Sequence, residues 1–225
     1  MAEYQQIISI IALTMGVAWA SGINLYATIL VLGIGANNGQ LVLPDSLHLL
    51  QSPLVIAAAG LMFAVEFFAD KVPGVDSIWD AIHTFIRIPA GALLAAGAVV
   101  EVSPALALAA ALVGGGLTAA THASKTGTRL MINTSPEPFS NWTLSVTEDL
   151  LVIAGLWAAL THPLLFCLLL FLFILFLVWL LPRLWHGIRR LWQKISAYFR
   201  HDRRPTLPKV YTVKSLYLRP LLSHQ

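Results

Sequence analysis

The amino-acid sequence predicts an all-helical polytopic membrane protein with about six transmembrane segments, and three observations predict it. Of the 225 residues, 57% are hydrophobic and only 11% charged, so eleven acids and fourteen bases are too few to cover the surface of a soluble domain. The segment Pro163 to Pro182, PLLFCLLLFLFILFLVWLLP, contains no charge. Its length matches the roughly 20 residues that span about 30 Å of hydrocarbon. Finally, most of the fourteen Lys and Arg residues follow directly after this run, at or beyond Arg183.

The first segment, about 7–34, is too long for a cleavable leader and is interrupted by Ser21, Gly22 and Asn24, so it reads as a helix of the mature chain. Asn37-Asn38-Gly39 and Pro44 end it. The second segment, 53–71, starts at Pro53 and stops at Val72-Pro73-Gly74. The third, 77–100, ends before Ser103-Pro104, and the fourth covers 104–125. The fifth, 142–160, follows Pro136-Glu137-Pro138, and the sixth, 163–182, follows Thr161-His162-Pro163. An even number of crossings puts both termini on one side. With the basic tail placed in the cytoplasm, the loops around Lys71 and around Lys125 and Arg129 are also cytoplasmic. The loops at 35–52, 101–103 and 161–162 then lie outside and hold no Lys or Arg, as the positive-inside rule requires.

Residues 73–79, PGVDSIW, and 136–142, PEPFSNW, share the pattern Pro-x-x-x-Ser-x-Trp ahead of a helix, which suggests that a helical hairpin is duplicated. Serine caps and interfacial tryptophans account for the same pattern without duplication. The small-residue runs AGALLAAGA at 90–98 and ALALAAALVGGGLTAA at 105–120 let helix backbones approach closely, so segments three and four are expected at the centre of the bundle. The chain divides into a membrane domain, 1–182, a basic amphipathic interfacial helix, 183–204, and a flexible cytoplasmic tail, 205–225. In the interfacial helix Leu184, Ile188, Leu191, Ile195 and Phe199 recur at helical spacing between bases. Its position after a membrane run points to anionic lipid headgroups as partner, not nucleic acid.

Function is expected where the scarce charges concentrate, in EFFADKVPGVDSIWDAIHTFIR at 66–87 and again at 122–149. Glu66 and Asp70 share a face of segment two. Asp76, Asp80, His83 and Arg87 form a stripe on segment three, and Thr118, His122, Lys125 and Arg129 form one on segment four. Arg87 falls near the bilayer middle, where an unpaired guanidinium costs at least about 2.5 to 3.5 kcal/mol. Helix depth suggests Glu148 or Asp149 as its counter-ion, with Asp80 and His83 as a relay. Glu66, Asp70, His122, Lys125 and Arg129 are expected to line a vestibule open to the cytoplasm. Such a cavity suits a proton relay, because imidazoles titrate near neutral pH, or a small anion held by the bases. Glu66, Asp70, Asp80 and His83 have ligand types suited to a divalent metal, but Lys71 and Arg87 neutralise them first, so no metal is expected. One cysteine, Cys167, rules out disulfides and a cysteine zinc cluster. No zinc-protease, nucleophile-elbow or phosphate-loop motif is present, and nothing in the sequence requires a cofactor.

GINLYATILVLG at 22–33, EFFADKVPGVDSIWDAIHTFIRIPAGALLAAGA at 66–98 and HASKTGTRLMINTSPEPFSNWTLSVTEDL at 122–150 closely resemble the bacterial integral membrane proteins grouped as domain of unknown function 4126. The resemblance covers about Gly16 to Leu191 and implies one membrane domain in a bacterial inner membrane. It implies no activity or site residues. Ile88 stands before Pro89 where a second proline is expected. The leading functional expectation is a transporter or channel-like permease for a small ion or anionic solute, with proton coupling. A membrane scaffold or assembly factor is the alternative, and an enzyme acting on a lipid phosphate is the third.

Overall fold

The computed structural model describes residues 2–72, 74–133 and 138–201. The chain divides into a helical body, Met1–Ile188, and a second unit, Arg189–Gln225, described as helix as far as His201. The elements in order are α1 (Ala2–Asn37), a 3-10 helix (Asp45–Gln51), α2 (Pro53–Ala69), α3 (Val75–Gly97), α4 (Pro104–Ile132), α5 (Pro138–Thr161) and α6 (Pro163–His201). No strand occurs among the described residues. By length and apolar composition α1, α4, α5 and α6 can each cross a membrane. The 3-10 helix and α2, bent by 64°, make a fifth candidate if they are counted as one span. This is the architecture of a multi-pass integral membrane protein.

Local chemistry explains most helix starts. α2 and α4 each follow a serine, Ser52 or Ser103, in extended backbone with a proline in the first turn, where a missing N–H costs nothing. α3 follows Gly74, whose φ of 88° favours glycine. Asp76, not Ser77, closes this end, because its Oδ1 accepts the N–H of Gly74 at 2.8 Å and of Ser77 at 2.6 Å. Asn133 Nδ2 donates to the same carboxylate at 2.8 and 2.9 Å, tying the start of α3 to the end of α4. α6 continues through Pro182, so the expected boundary there is not a helix end. The expected tail at 205–225 lies outside the described residues, as does part of the second copy of the Pro-x-x-x-Ser-x-Trp pattern.

α1 departs most from expectation. Its helical dihedrals fail at one residue, Asn24 (φ −146°, ψ 101°). Up to that point the helix runs parallel to α4: Ala18 O meets Thr118, and Gly22 packs against Thr118 O and Thr121. After it the chain runs antiparallel to α2, with Leu30 beside Gly60 and Gly33 beside Leu50 and Ile56. Ser9 and Gln40 accordingly line one cleft. A straight helix would put Ser9 and Asn37 about 42 Å apart at about 1.5 Å per residue. The first segment is therefore a re-entrant pair of half-helices, not a crossing.

This changes the topology as well. Gln5 and Ser9 sit beside Thr161–Leu165, whereas Leu184 and Gly187 pack on Gly127 and Met131 at the far end of α4. The chain starts at the opposite end of the body from the point α6 has reached by Ile188. The expectation that both termini lie on one side counted 7–34 as a crossing, which the turn at Asn24 removes; the last residues of the chain lie outside the described ones.

α3 and α4 form the centre, as their small residues imply. A Cβ on Gly91 would meet the Thr118 side chain, and one on Gly114 would run into Ala95. Around them Val17, Ala18, Leu94, Ala95, Val152 and Leu156 form the apolar core. Trp19 adds edge-on contacts to Phe166 at 6.0 Å and Phe173 at 6.1 Å. Outward, α3 shows Ile78, Ile82, Phe85 and Leu93, all more than half exposed, so its polarity is inverted relative to a soluble helix. Its charges face in and its hydrocarbon faces out.

Candidate functional site

Four helices bring their charged residues to one place, and a fifth meets them there. Glu66 and Asp70 come from the end of α2, Asp80 and Arg87 from α3, Lys125 and Arg129 from the last turns of α4, and Glu148 and Asp149 from α5, while α1 contributes its broken backbone. Every one of these side chains belongs to a residue no more than 8% exposed.

Arg87 is the deepest base. Its Nη2 pairs with Glu66 Oε1, its Nη1 lies 3.6 Å from Asp80 Oδ1, and Nη1 donates to the Ile23 carbonyl at 2.9 Å. Lys125 Nζ occupies a cage of oxygens: Ile23 O and Glu66 Oε1 at 3.0 Å, Asp70 Oδ2 at 3.4 Å, Asp80 Oδ1 at 3.5 Å and Glu148 Oε2 at 3.9 Å. Arg129 Nη2 donates to Asp70 Oδ2 at 2.8 Å and pairs with Glu148 Oε2.

The break in α1 completes this network. With no helical N–H to bond it, the Ile23 carbonyl accepts from Arg87 and Lys125, and the two cations also offset the negative end of the first half-helix. Asn24 starts the second half-helix as its cap: Oδ1 accepts the N–H of Ala27 at 2.9 Å. Asn24 Nδ2 donates to Asp149 Oδ1 at 2.9 Å, which places a carboxylate at the positive end of that half-helix. Gly22 permits the close approach, since a Cβ there would stand 2.6 Å from Thr118 O.

Three bases, Arg87, Lys125 and Arg129, face four ion-paired carboxylates, Glu66, Asp70, Asp80 and Glu148, which leaves the paired cluster one negative charge in excess. Several carboxylate oxygens, Glu66 Oε2, Asp70 Oδ1, Asp80 Oδ2 and Asp149 Oδ2, accept no hydrogen bond. The donors Arg87 Nε and Arg129 Nε are likewise without a partner, so it is the count of charges that leaves the site short of positive charge. Among the described residues no group of three or more His, Cys, Asp and Glu side chains is placed to hold a metal. Lys125 and Arg87 stand between the carboxylates that a metal would bridge.

Nine of the ten residues expected from the sequence take part in this arrangement. His83 stands apart: its Nδ1 lies 2.9 Å from Trp79 O, and its ring stacks on Trp79 at 4.1 Å and meets Tyr26 at 5.8 Å. His122 borders the cluster with Nε2 3.2 Å from Asp80 O. The expected pairing of Arg87 with Glu148 or Asp149 is wrong. Arg87 takes Glu66 from α2 instead, and Arg129 takes Glu148. The expected open vestibule is also closed, because the bases fill the space between the carboxylates. Asn24 and the Ile23 carbonyl are missed by reading charges alone. Their signal is Gly22 and Asn24 inside an apolar helix, two poor helix formers that expose backbone.

No curated protein and no solved structure matches the chain. Residues 11–183 match the family model described as Domain of unknown function (DUF4126), and the chain belongs to that family.

Proposed function

We propose that the protein moves a small ion across a bacterial inner membrane, with the buried network as its binding and gating centre. The observation that carries this reading is the break of α1 at Asn24 inside a cluster with excess carboxylate. Non-helical backbone at membrane depth is tolerated where protein surrounds it, and in transporters half-helix ends of this kind bind the substrate or the coupling ion. The excess of carboxylates favours a cation, with the proton first, over a free anion, which would have to displace Glu66 and Glu148 from their arginines. Asp80 is the leading proton acceptor, and Arg87 and Lys125 are the charges released when it is neutralised. A cleft of about 550 Å3 lined by Gln6, Ser9, Gln40, Asp45 and Glu101 opens at the start of α1, and apolar core separates it from the cluster. That arrangement suits an occluded state. The bases beyond Arg183 would hold the far end of α6 at anionic headgroups, on the cytoplasmic side.

A non-transporting scaffold is the second reading. It is favoured by the ion pairing of each of the three bases in a site closed to solvent. Flux in sealed proteoliposomes decides between them. Internal pH and cation dyes, with a panel of small anions, are read for the native protein, Asp80→Asn and Arg87→Gln. Proton or cation flux lost in folded variants supports transport. Absence of flux for every ion, with variants that only lose thermal stability, replaces it with the scaffold.

A further inference from the structure

We propose that the cleft between α3, α4 and α6 binds the uncharged hydroxyl head of an apolar molecule that enters from the bilayer. The cleft has a volume of about 370 Å3, within the usual range for small-molecule sites. Ile88, Leu130, Leu181, Leu184 and Trp185 form its apolar walls. The ion network contributes none of its bases to this lining, so a phosphate or carboxylate head would find no counter-ion there.

Two polar groups on α4 face the cleft, and they determine the chemistry. His122, 3% exposed, has Nε2 at 2.8 Å from Thr84 Oγ1 and 3.2 Å from Asp80 O. The Thr84 hydroxyl donates its one proton to the same Asp80 carbonyl, at 2.9 Å. A carbonyl only accepts, so these partners assign the imidazole proton to Nε2. Nδ1 of the neutral ring is then a bare acceptor, and it has no partner in the protein. Thr126 lies four residues on, along the same helix face, and its Oγ1 is likewise buried without a partner. Together they complement one hydroxyl group: the ligand O–H donates to His122 Nδ1, and the Thr126 O–H donates to the ligand oxygen. Water would satisfy the two polar atoms and leave the leucine walls bare. An acyl chain would cover the walls and leave the polar atoms unpaired. An alkylphenol or a glycerol monoester does both.

The test uses the full chain in phosphatidylcholine nanodiscs, with a nonyl-substituted bromophenol as probe. Bromine quenches tryptophan on contact, and the difference between the native protein and Trp185→Phe isolates the signal from the cleft. Saturable quenching of Trp185 is expected, with the O-methyl ether of the probe about tenfold weaker, the scale of one lost hydrogen bond. Thr126→Val, close to isosteric and outside the ion network, should weaken the phenol about tenfold, and the ether by a similar factor, because the ether oxygen still accepts from Thr126. Leu184→Trp, which fills the cleft, should abolish quenching. Displacement by a monoacylglycerol of matched chain length assigns the site to a lipid glycerol, and failure to displace assigns it to a phenolic ligand. Equal binding of phenol and ether, or Thr126→Val without effect on the phenol, overturns the proposal.

Discussion

Replacing Arg87 by methionine should destabilise the protein strongly, and also replacing Glu66 by glutamine should restore most of the loss. Arg87 is fully buried and holds Glu66, Asp80 and the Ile23 carbonyl. Removing it takes the paired cluster from three bases against four carboxylates, net −1, to two against four, net −2. Breaking one side of a buried pair costs about 3–5 kcal/mol, because the stranded charge stays desolvated. For a body of this size that corresponds to a fall in Tm of about 6–20 °C. Arg87→Met with Glu66→Gln returns the count to two against three, net −1, and leaves an apolar and a neutral side chain in place of the pair. Swaps of that kind are often neutral, so the double variant should recover at least half of the loss. Thermal unfolding in detergent micelles, read as a double-mutant cycle, measures it. Arg87→Met with Glu148→Gln is the matched control, since Glu148 contacts Arg129 and Lys125 and not Arg87. Its combined effect should be no better than additive. Additivity for the Glu66 pair, or rescue by Glu148→Gln instead, refutes the assignment of Arg87 to Glu66.

Three further outcomes follow from the geometry. With Cys167 replaced, single cysteines at Ser9 and Gln40 should react with a membrane-impermeant maleimide from the same side of sealed vesicles, and one at Val72 from the opposite side; labelling of Ser9 from the Val72 side contradicts the re-entrant α1. Asn24→Ala removes the cap on Ala27 and the donor to Asp149, and should lower stability by about 1–2 kcal/mol on the cap alone, whereas an unchanged Tm means the break is held by packing alone. Gly91→Val drives a side chain into Thr118 and should cost at least about 1–3 kcal/mol, with Gly116→Val, where a Cβ meets nothing within 4 Å, as the harmless control in the same unfolding assay.

What the sequence made legible, and what it did not, divides along the reach of each signal. Helix identity and helix ends were readable because Pro53, Gly74, Pro104 and Pro163 act within one turn. The site residues were readable because a charge in a membrane helix needs a partner, and the stripes on α2, α3 and α4 had to find one another. Which acid meets which base was not readable. That depends on the axial offset and rotation of one helix against the next, which the spacing of residues within a helix does not carry: Glu66 on α2, not Glu148 on α5, comes level with Arg87. The re-entrant α1 was hidden for a different reason. A helix of 36 mostly apolar residues has the composition of a crossing whether or not it turns back, and hydropathy carries no direction. The direction is set by three details that composition averages away: glycine at 22, an amide at 24 that caps Ala27, and two cations from other helices that accept the burden of the free Ile23 carbonyl. The same carbonyl would be an unsatisfied acceptor in lipid if Arg87 and Lys125 were absent. The charge network and the broken helix are therefore one feature: the cluster supplies the donors that the free Ile23 carbonyl needs at that depth, and the break supplies an acceptor to two of the cluster's bases.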